Sequence, residues 1–220
     1  MSMRNYFRRW IFQTVTLLSV SSAFIFSAQV INASWGGGPF SYALQRAIQN
    51  AASAGIVFVA AAGNEQTNND LYPSYPANYR VANVVSVAAT TADDLLDSRY
   101  SNYGATTVHL AAPGADILST WNTADDAYMV ESGTSMATPH VTGAVALLRS
   151  AYPSDSVSAI IKRLLNGTDK LPSLQDKCVS GGRLNLAMER PQRRRRRRNP
   201  GSNLFPGRAI SPARTTQHNS

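Results

Sequence analysis

The chain has 220 residues, of which 44% are hydrophobic, and it carries a formal net charge of +8. This length and apolar content suffice for one buried core, which excludes collagen-like, coiled-coil and wholly disordered proteins. Residues 11–189 hold nine Lys and Arg against thirteen Asp and Glu, whereas twelve Arg lie in the two ends. The body is therefore mildly acidic, and the basic character belongs to the ends. A single cysteine, Cys178, excludes an internal disulfide framework.

The N-terminal segment has the pattern of a secretory signal peptide. Three arginines within residues 1–9 precede an apolar run at residues 11–20, and small residues lead up to Ala23. This order predicts cleavage after Ala23 and a secreted or cell-envelope protein. The alternative is a membrane anchor over residues 10–31, although polar residues dilute that span. We assign residues 1–28 to a signal peptide or hydrophobic N-terminal segment.

The C-terminal segment, residues 191–220, contains six consecutive arginines, Arg193–Arg198, and is otherwise rich in Pro, Gly, Ser and Thr. Adjacent like charges repel one another, so we predict a disordered Arg-rich tail. Its arginines could neutralise phosphates of a nucleic acid or another anionic surface. However, no aromatic residue lies among them for base stacking, which favours a solvated tail.

The body, residues 29–190, alternates short apolar runs with helical periodicity. A strand is predicted at residues 29–34, and Ser41 is predicted to cap a helix that ends near Gly55. A continuous apolar run at residues 56–62 then predicts a strand buried on both faces. This strand, helix and strand imply a parallel sheet with a right-handed crossover.

The same alternation continues toward the C-terminus. Further strands are predicted at residues 81–89, 108–111 and 117–120, and helices at residues 135–152 and 154–166. The predicted class is α/β, with a doubly wound and mostly parallel sheet.

The segment GTSMATPH at residues 133–140 is a small-residue turn that leads into a helix. Pro139 falls in the first helical turn, where its missing N–H is tolerated. Ser135 therefore stands at a helix N-terminus, with free backbone N–H groups and the positive end of the helix dipole beside its hydroxyl. This environment suits a nucleophile whose attack creates an oxyanion, but a serine in this place is more often only a cap.

The longer string GTSMATPHVTG closely resembles the nucleophile segment of subtilisin-like serine proteases, the subtilases of peptidase family S8. Other segments of that family are matched in the same order. They are INASWGG from Ile31, AAAGN from Ala60, YPA from Tyr75, SNYG from Ser101, APG from Ala112 and GRLN from Gly182. The resemblance covers about residues 29–190 and implies a subtilisin-like fold, truncated at its N-terminal side. It also implies a serine endopeptidase that forms an acyl-enzyme with peptide or protein substrates.

The resemblance assigns roles residue by residue. Ser135 resembles the acylated nucleophile, with its own N–H as one oxyanion donor, and Asn64 resembles the side-chain donor. Without the resemblance, Asn64 after Gly63 is typical of a turn residue. The residues that would line the primary specificity cleft are Ser34, Trp35 and Gly36 on one side and Ala61, Ala62 and Gly63 on the other. The resemblance also implies a cis bond between Tyr75 and Pro76.

The catalytic Asp and His of the family are not found. In subtilases both precede the strand matched here by Ile31, but no Asp, Glu or His lies upstream of that residue. The three histidines are His109, without a catalytic counterpart, His140, which points about 140° away from Ser135 on one helix, and His218, in the tail. We therefore expect the isolated chain to lack normal proteolytic turnover.

Three hypotheses follow from this gap. In the first, a complementing polypeptide or upstream sequence supplies the Asp and His segments of a serine endopeptidase. In the second, the chain is a non-catalytic, truncated subtilase fragment. In the third, it is an Arg-tail adaptor for anionic partners.

A structural calcium ion is common in the family, but no carboxylate cluster allows its ligands to be assigned. Asp93–Asp94 and Asp125–Asp126 are interpreted as solvated turns. Cys178 is interpreted as a small, semi-buried side chain.

Overall fold

The computed structural model describes residues 28–187. The N-terminal segment up to residue 27, the tail with Arg193–Arg198, and His218 lie outside the described residues. The strands are β1 (Val30–Ala33), β2 (Val57–Ala61), β3 (Val84–Thr90), β4 (Leu110–Pro113), β5 (Ile117–Thr120), β6 (Tyr128–Glu131), β7 (Asp169–Lys170) and β8 (Gly182–Arg183). The α-helices are α1 (Tyr42–Ser53), α2 (Thr134–Ala151) and α3 (Val157–Asn166), and a 3₁₀ turn covers Pro172–Leu174.

The main sheet has the strand order β1-β2-β3-β4-β8-β7. Its first five strands run parallel, with Ala33 opposite Ala60, and β7 runs antiparallel to β8. Every residue of β2 and β3 is buried, as expected for parallel strands covered on both faces. The predicted α/β class with a mostly parallel sheet is confirmed.

Helices cover the sheet on two sides. One core contains side chains of α2 and α3 together with sheet residues; its members include Val59, Val85, Val87, Leu110, Val141, Val145, Leu148, Ile160 and Leu164. A second core lies around α1, whose Ile48 clusters with Phe58 and Val84. Residues of β2 alternate between the two cores, Val57 and Val59 in the first, Phe58 and Ala60 in the second. This alternation places α1 on one face of the sheet and α2 with α3 on the other.

The capping residue of one helix was predicted correctly from the sequence, and that of another was not. Ser41 caps α1 as predicted, since its Oγ accepts the N–H of Leu44 at 3.4 Å. The predicted start of α3 at Ser154 is wrong, because the cap is Ser156, whose Oγ accepts the N–H of Ala159 at 3.2 Å. Both serines are suitable caps by type, so the choice depends on the approach of the chain.

The hairpin formed by β5 and β6 was predicted only in its first strand. Leu118 lies opposite Val130, and both side chains are more than half exposed. Because β6 is short and mostly exposed, its sequence lacks the alternation of a half-buried strand. Within residues 28–187, no helix is both long and apolar enough to cross a membrane.

Candidate active site

A close contact between two glycines sets where α2 begins. The N–H of Gly133 donates to the carbonyl of Gly114 at 2.8 Å, and Gly133 has a φ of 152°, which residues with a side chain rarely adopt. A Cβ on Gly114 would lie 2.7 Å from the Cβ of Ala89 and 2.7 Å from the Gly133 carbonyl oxygen. The start of α2 is therefore pressed against the end of β4.

Thr134, the first residue of α2, holds the side chain of Asn64. Its N–H and its hydroxyl both donate to Oδ1 of Asn64, at 2.9 and 2.8 Å. A backbone N–H can only donate, so the atom that faces it must be the amide oxygen. The Nδ2 of Asn64 then points elsewhere, and it has no hydrogen-bond partner within residues 28–187.

Ser135 follows at the second position of α2 and is half-buried. The N–H groups of Met136 and Ala137 donate to the carbonyl of Gly133. Within the described part of the chain, neither the N–H nor the Oγ of Ser135 has a partner. The free N–H is expected for a residue in the first turn of a helix. The site thus brings together one free hydroxyl and two unpaired donors, the N–H of Ser135 and the Nδ2 of Asn64.

The residues predicted to line a cleft lie side by side. Ser34 follows β1 and Ala61 ends β2, and these two strands are paired. A Cβ on Gly36 would lie 3.9 Å from the carbonyl oxygen of Ala61. The Oγ of Ser34 donates to the carbonyl of Ser135 at 2.8 Å, which ties the end of β1 to α2.

The other cleft residues follow the same two strands. Trp35 is half-buried, and Ala62 and Gly63 are buried. The bond between Tyr75 and Pro76 is cis, as the resemblance implied.

Neither described histidine lies beside Ser135. His140 is exposed, and its Nδ1 donates to the carbonyl of Met136 at 2.9 Å, within its own helix. His109 precedes β4, at the amino-terminal end of that strand, whereas Ser135 contacts Ser34 at the carboxyl-terminal ends. The Nδ1 of His109 accepts the N–H of Ser86 at 2.9 Å, and burial lowers the pKa of the imidazole to about 4.

Two supporting residues were not singled out from the sequence. Thr134 lies in the segment GTSMATPH and Asn102 in SNYG, but neither is predicted to have a role of its own. Asn102 has no exposed surface and bonds the loop that carries Asn64. The sequence offers no signal for either residue beyond the polar type of its side chain.

The structure shows the contacts and burial of the acidic and cysteine side chains. Within residues 28–187, no group of three or more His, Cys, Asp or Glu could hold a metal ion. Asp93 and Asp94 lie in a turn at the surface, as interpreted, and Asp94 also forms an ion pair with Arg183, which pairs in turn with Asp169. Cys178 is a free thiol and is 4% exposed, thus buried rather than semi-buried.

The sequence was compared with models of known protein families. The subtilase family of peptidases, S8, matches residues 13–187. The chain belongs to the subtilase family. The matched range begins within residues 1–28, the predicted signal peptide or hydrophobic N-terminal segment.

Several subtilase relatives are proteases. An extracellular protease of Xanthomonas campestris pv. campestris is 44% identical over 160 residues, which cover 70% of this chain and 26% of that protein. An extracellular serine proteinase of Thermus sp. is 47% identical over 136 residues, which cover 62% of this chain and 32% of that protein.

A solved subtilase structure agrees with the fold. A protease of Pseudoalteromonas arctica is 36% identical, with a TM-score of 0.64 over 73% of this chain and 50% of that chain. The chain therefore spans a third or less of these two curated relatives and half of the solved structure.

Proposed function

We propose that this chain carries the nucleophile and oxyanion donors of a subtilase serine endopeptidase. Ser135 is the nucleophile, and its own N–H together with Nδ2 of Asn64 stabilises the oxyanion. The observation that supports this most is the pair of hydrogen bonds from Thr134 to Oδ1 of Asn64. They direct Oδ1 to Thr134 and leave Nδ2 free, and the next residue, Ser135, has an N–H and an Oγ that are unpaired among residues 28–187.

The chemistry follows from this arrangement. Attack of the Ser135 Oγ on the carbonyl carbon of a peptide bond forms a C–O bond and moves an electron pair to the carbonyl oxygen. The two N–H donors and the positive end of α2 stabilise that negative charge. When the tetrahedral intermediate collapses, the C–N bond breaks and the amine leaves with the proton that Ser135 gave to the base. The acyl group remains on Ser135 until water hydrolyses the ester and restores the hydroxyl. A side-chain donor such as Asn64 contributes about 10²–10³ in kcat in subtilisin.

The substrate is proposed to be an extended peptide or protein segment. We place its cleft between Ser34–Gly36 and Ala61–Gly63, at the carboxyl ends of the paired strands β1 and β2. Backbone groups along such edges can hydrogen-bond an extended chain, and the glycines leave room for its close approach.

Turnover requires a base that accepts the Ser135 proton. His140 bonds its own helix, and His109 lies at the other end of the strands. In subtilisin, loss of the catalytic histidine lowers kcat by about 2 × 10⁶. We propose that the base comes from a complementing polypeptide with the Asp and His segments of the family, or from sequence encoded upstream. The isolated chain is then close to inactive.

A fluorophosphonate probe tests this proposal. The chain alone should label at Ser135 very slowly, and addition of a polypeptide with the Asp and His segments should restore labelling and peptide hydrolysis. Ser135→Ala should abolish the restored labelling. Rapid labelling of the chain alone would contradict the need for a supplied base. A stable complex without labelling would favour the alternative, a non-catalytic subtilase fragment.

We also propose export from the cytoplasm, with residues 1–28 as a signal peptide or hydrophobic N-terminal segment before a peptidase domain at residues 29–190. The named relatives from Xanthomonas and Thermus are extracellular, which supports export. Expression in a bacterial host should yield a product that begins near Phe24. Intact Met1 in the exported protein would contradict cleavage, and retention in the membrane fraction would favour an anchor.

A further inference from the structure

The loop that carries Asn64, residues 62–67, follows β2 and is not part of a strand. Its backbone groups therefore need other partners. Asn102, which has no exposed surface, provides many of them from the segment between β3 and β4. Its N–H donates to the carbonyl of Gly63 at 3.0 Å. Its Oδ1 accepts the N–H groups of Glu65 at 2.9 Å and Thr67 at 3.0 Å.

The Nδ2 of Asn102 also has hydrogen-bond partners in this part of the chain. It lies within hydrogen-bond distance of the carbonyl oxygen of Ala62 at 3.2 Å, Oε2 of Glu65 at 2.9 Å and Oδ1 of Asn69 at 3.1 Å. The side chain of Asn69, itself 1% exposed, donates to the same Ala62 carbonyl at 2.8 Å. One buried amide thus bonds the chain both before and after Asn64.

The carboxylate of Glu65 extends this network to Asn64 itself. Its Oε2 accepts the backbone N–H of Asn64 at 2.9 Å as well as the Nδ2 of Asn102. A Cβ on Gly63 would lie 2.3 Å from Nδ2 of Asn102, so a glycine is required for the amide to come this close. The backbone around Asn64 is therefore shaped to the Asn102 side chain.

We propose that Asn102 is a positioning residue for the oxyanion donor, because its amide holds the backbone on both sides of Asn64. Thr134 orients the Asn64 side chain, and Asn102 fixes the backbone from which that side chain extends. This role rests on the proposed function of Asn64. It requires an amide, because Oδ1 must accept from two N–H groups while Nδ2 donates.

Asn102→Asp is the single substitution that tests most directly whether the role of Asn102 requires an amide. A carboxylate of the same shape retains the acceptor for Glu65 and Thr67 but loses the donor. It also places a negative charge against the carboxylate of Glu65, which is unfavourable at hydrogen-bond distance. Asn83→Asp is the matched control: Asn83 is also fully buried, and its Nδ2 donates to the carbonyls of Ile48 and Ile56, outside the loop.

Hydrogen exchange of the full chain tests the structural half of the proposal. Asn102→Asp should accelerate exchange of the amides of residues 64–67 by about tenfold or more while the amides of β3 keep their protection. Asn83→Asp should leave the loop unchanged relative to β3. If Asn102→Asp fails to fold, Asn102→Asp with Glu65→Gln removes the like-charge contact and is measured instead. Acceleration spread evenly over the chain, or no acceleration, would overturn the proposal.

Kinetics of the reconstituted protease test the functional half. Asn102→Asp should lower kcat by about 10- to 100-fold with KM within about twofold, because an oxyanion donor acts in the transition state. In an Asn64→Gly background the same change should leave kcat unaltered. An equal loss of kcat in both backgrounds would show that Asn102 acts by another route. If the wild-type pair has no turnover, the proposed function fails, and hydrogen exchange alone decides the role of Asn102.

Discussion

The N–H and the hydroxyl of Thr134 both donate to one atom, the Oδ1 of Asn64, at 2.9 and 2.8 Å. These residues are far apart in sequence, and Thr134 precedes Ser135 directly. The residue before the proposed nucleophile therefore fixes the orientation of the proposed oxyanion donor. Thr134 has no exposed surface, whereas Asn64 is exposed, so the buried threonine holds a side chain that reaches solvent.

Thr134→Val should destabilise the chain by about 1–3 kcal/mol, since it leaves polar groups in the interior unpaired. The lost hydroxyl donates to Oδ1 of Asn64 and accepts the N–H of Gly63. Urea unfolding measures the change. Thr142→Val is the control: that half-buried hydroxyl bonds Asn32 and Thr138, and its loss should amount to about 1 kcal/mol or less. Equal losses for the two variants would contradict the prediction.

Stability should fall in mild acid because of His109. Burial lowers the pKa of its imidazole to about 4 in the folded state, against 6.5 in the unfolded chain. The unfolded state therefore binds more protons between pH 6.5 and 4, and the free energy of unfolding decreases as pH falls through this window. The decrease attributable to His109 is about 3 kcal/mol, with no further contribution below about pH 4.

Urea unfolding at several pH values measures this decrease. His109→Asn keeps an acceptor near the N–H of Ser86 but cannot titrate, so its stability should change less between pH 6.5 and 4. Parallel pH profiles for the variant and the parent chain would show that His109 is not responsible.

Gly114→Ala should destabilise the chain by about 1–3 kcal/mol through overpacking. The added Cβ would lie 2.7 Å from both the Ala89 Cβ and the Gly133 oxygen, and 3.1 Å from the Ala137 Cβ. Gly143→Ala is the matched control within α2, where a Cβ meets nothing within 4 Å. It should stabilise the chain by about 0.5–1 kcal/mol, because alanine favours helix interiors. Thermal melting should move the two variants in opposite directions.

The arginine run Arg193–Arg198 should make any binding of nucleic acid independent of sequence. Six neutralised phosphates predict a slope of log K against log salt of about −5 on duplex DNA. Deletion of residues 190–220 should abolish the binding. Filter binding across a salt series measures the slope, and binding that survives the deletion would place the basic surface elsewhere.

The fold was predictable wherever burial creates a regular pattern. The apolar run around β2 and the spacing of Ala47, Ile48 and Ala51 in α1 specify a buried strand and a one-sided helix. The strand β6 was not predictable, because exposed residues such as Tyr128 carry no such pattern. The two-residue strands β7 and β8 are too short to show one.

Within the candidate site, the helix start that carries Ser135 and the strand ends that carry Ser34 and Ala61 were predictable from the sequence. Ser135 at the start of a helix follows from Pro139 and the small residues before it. The place of Asn102 could not be predicted, because its partners lie 33–40 residues earlier in the chain. Such contacts exist only after β2 and β3 pair and bring both loops to the same edge of the sheet.

The pairing of β4 with β8, through Ala111 and Arg183, has a consequence for biosynthesis. Roughly 70 residues separate these partners, and a ribosome needs about 4–14 s to add them. During that interval the N–H and C=O groups on the outer side of β4 have no strand to pair with, and other nascent chains can pair there instead. Slow codons between Ala111 and Arg183 should therefore lower the yield of folded chain more than slow codons upstream of β1 do.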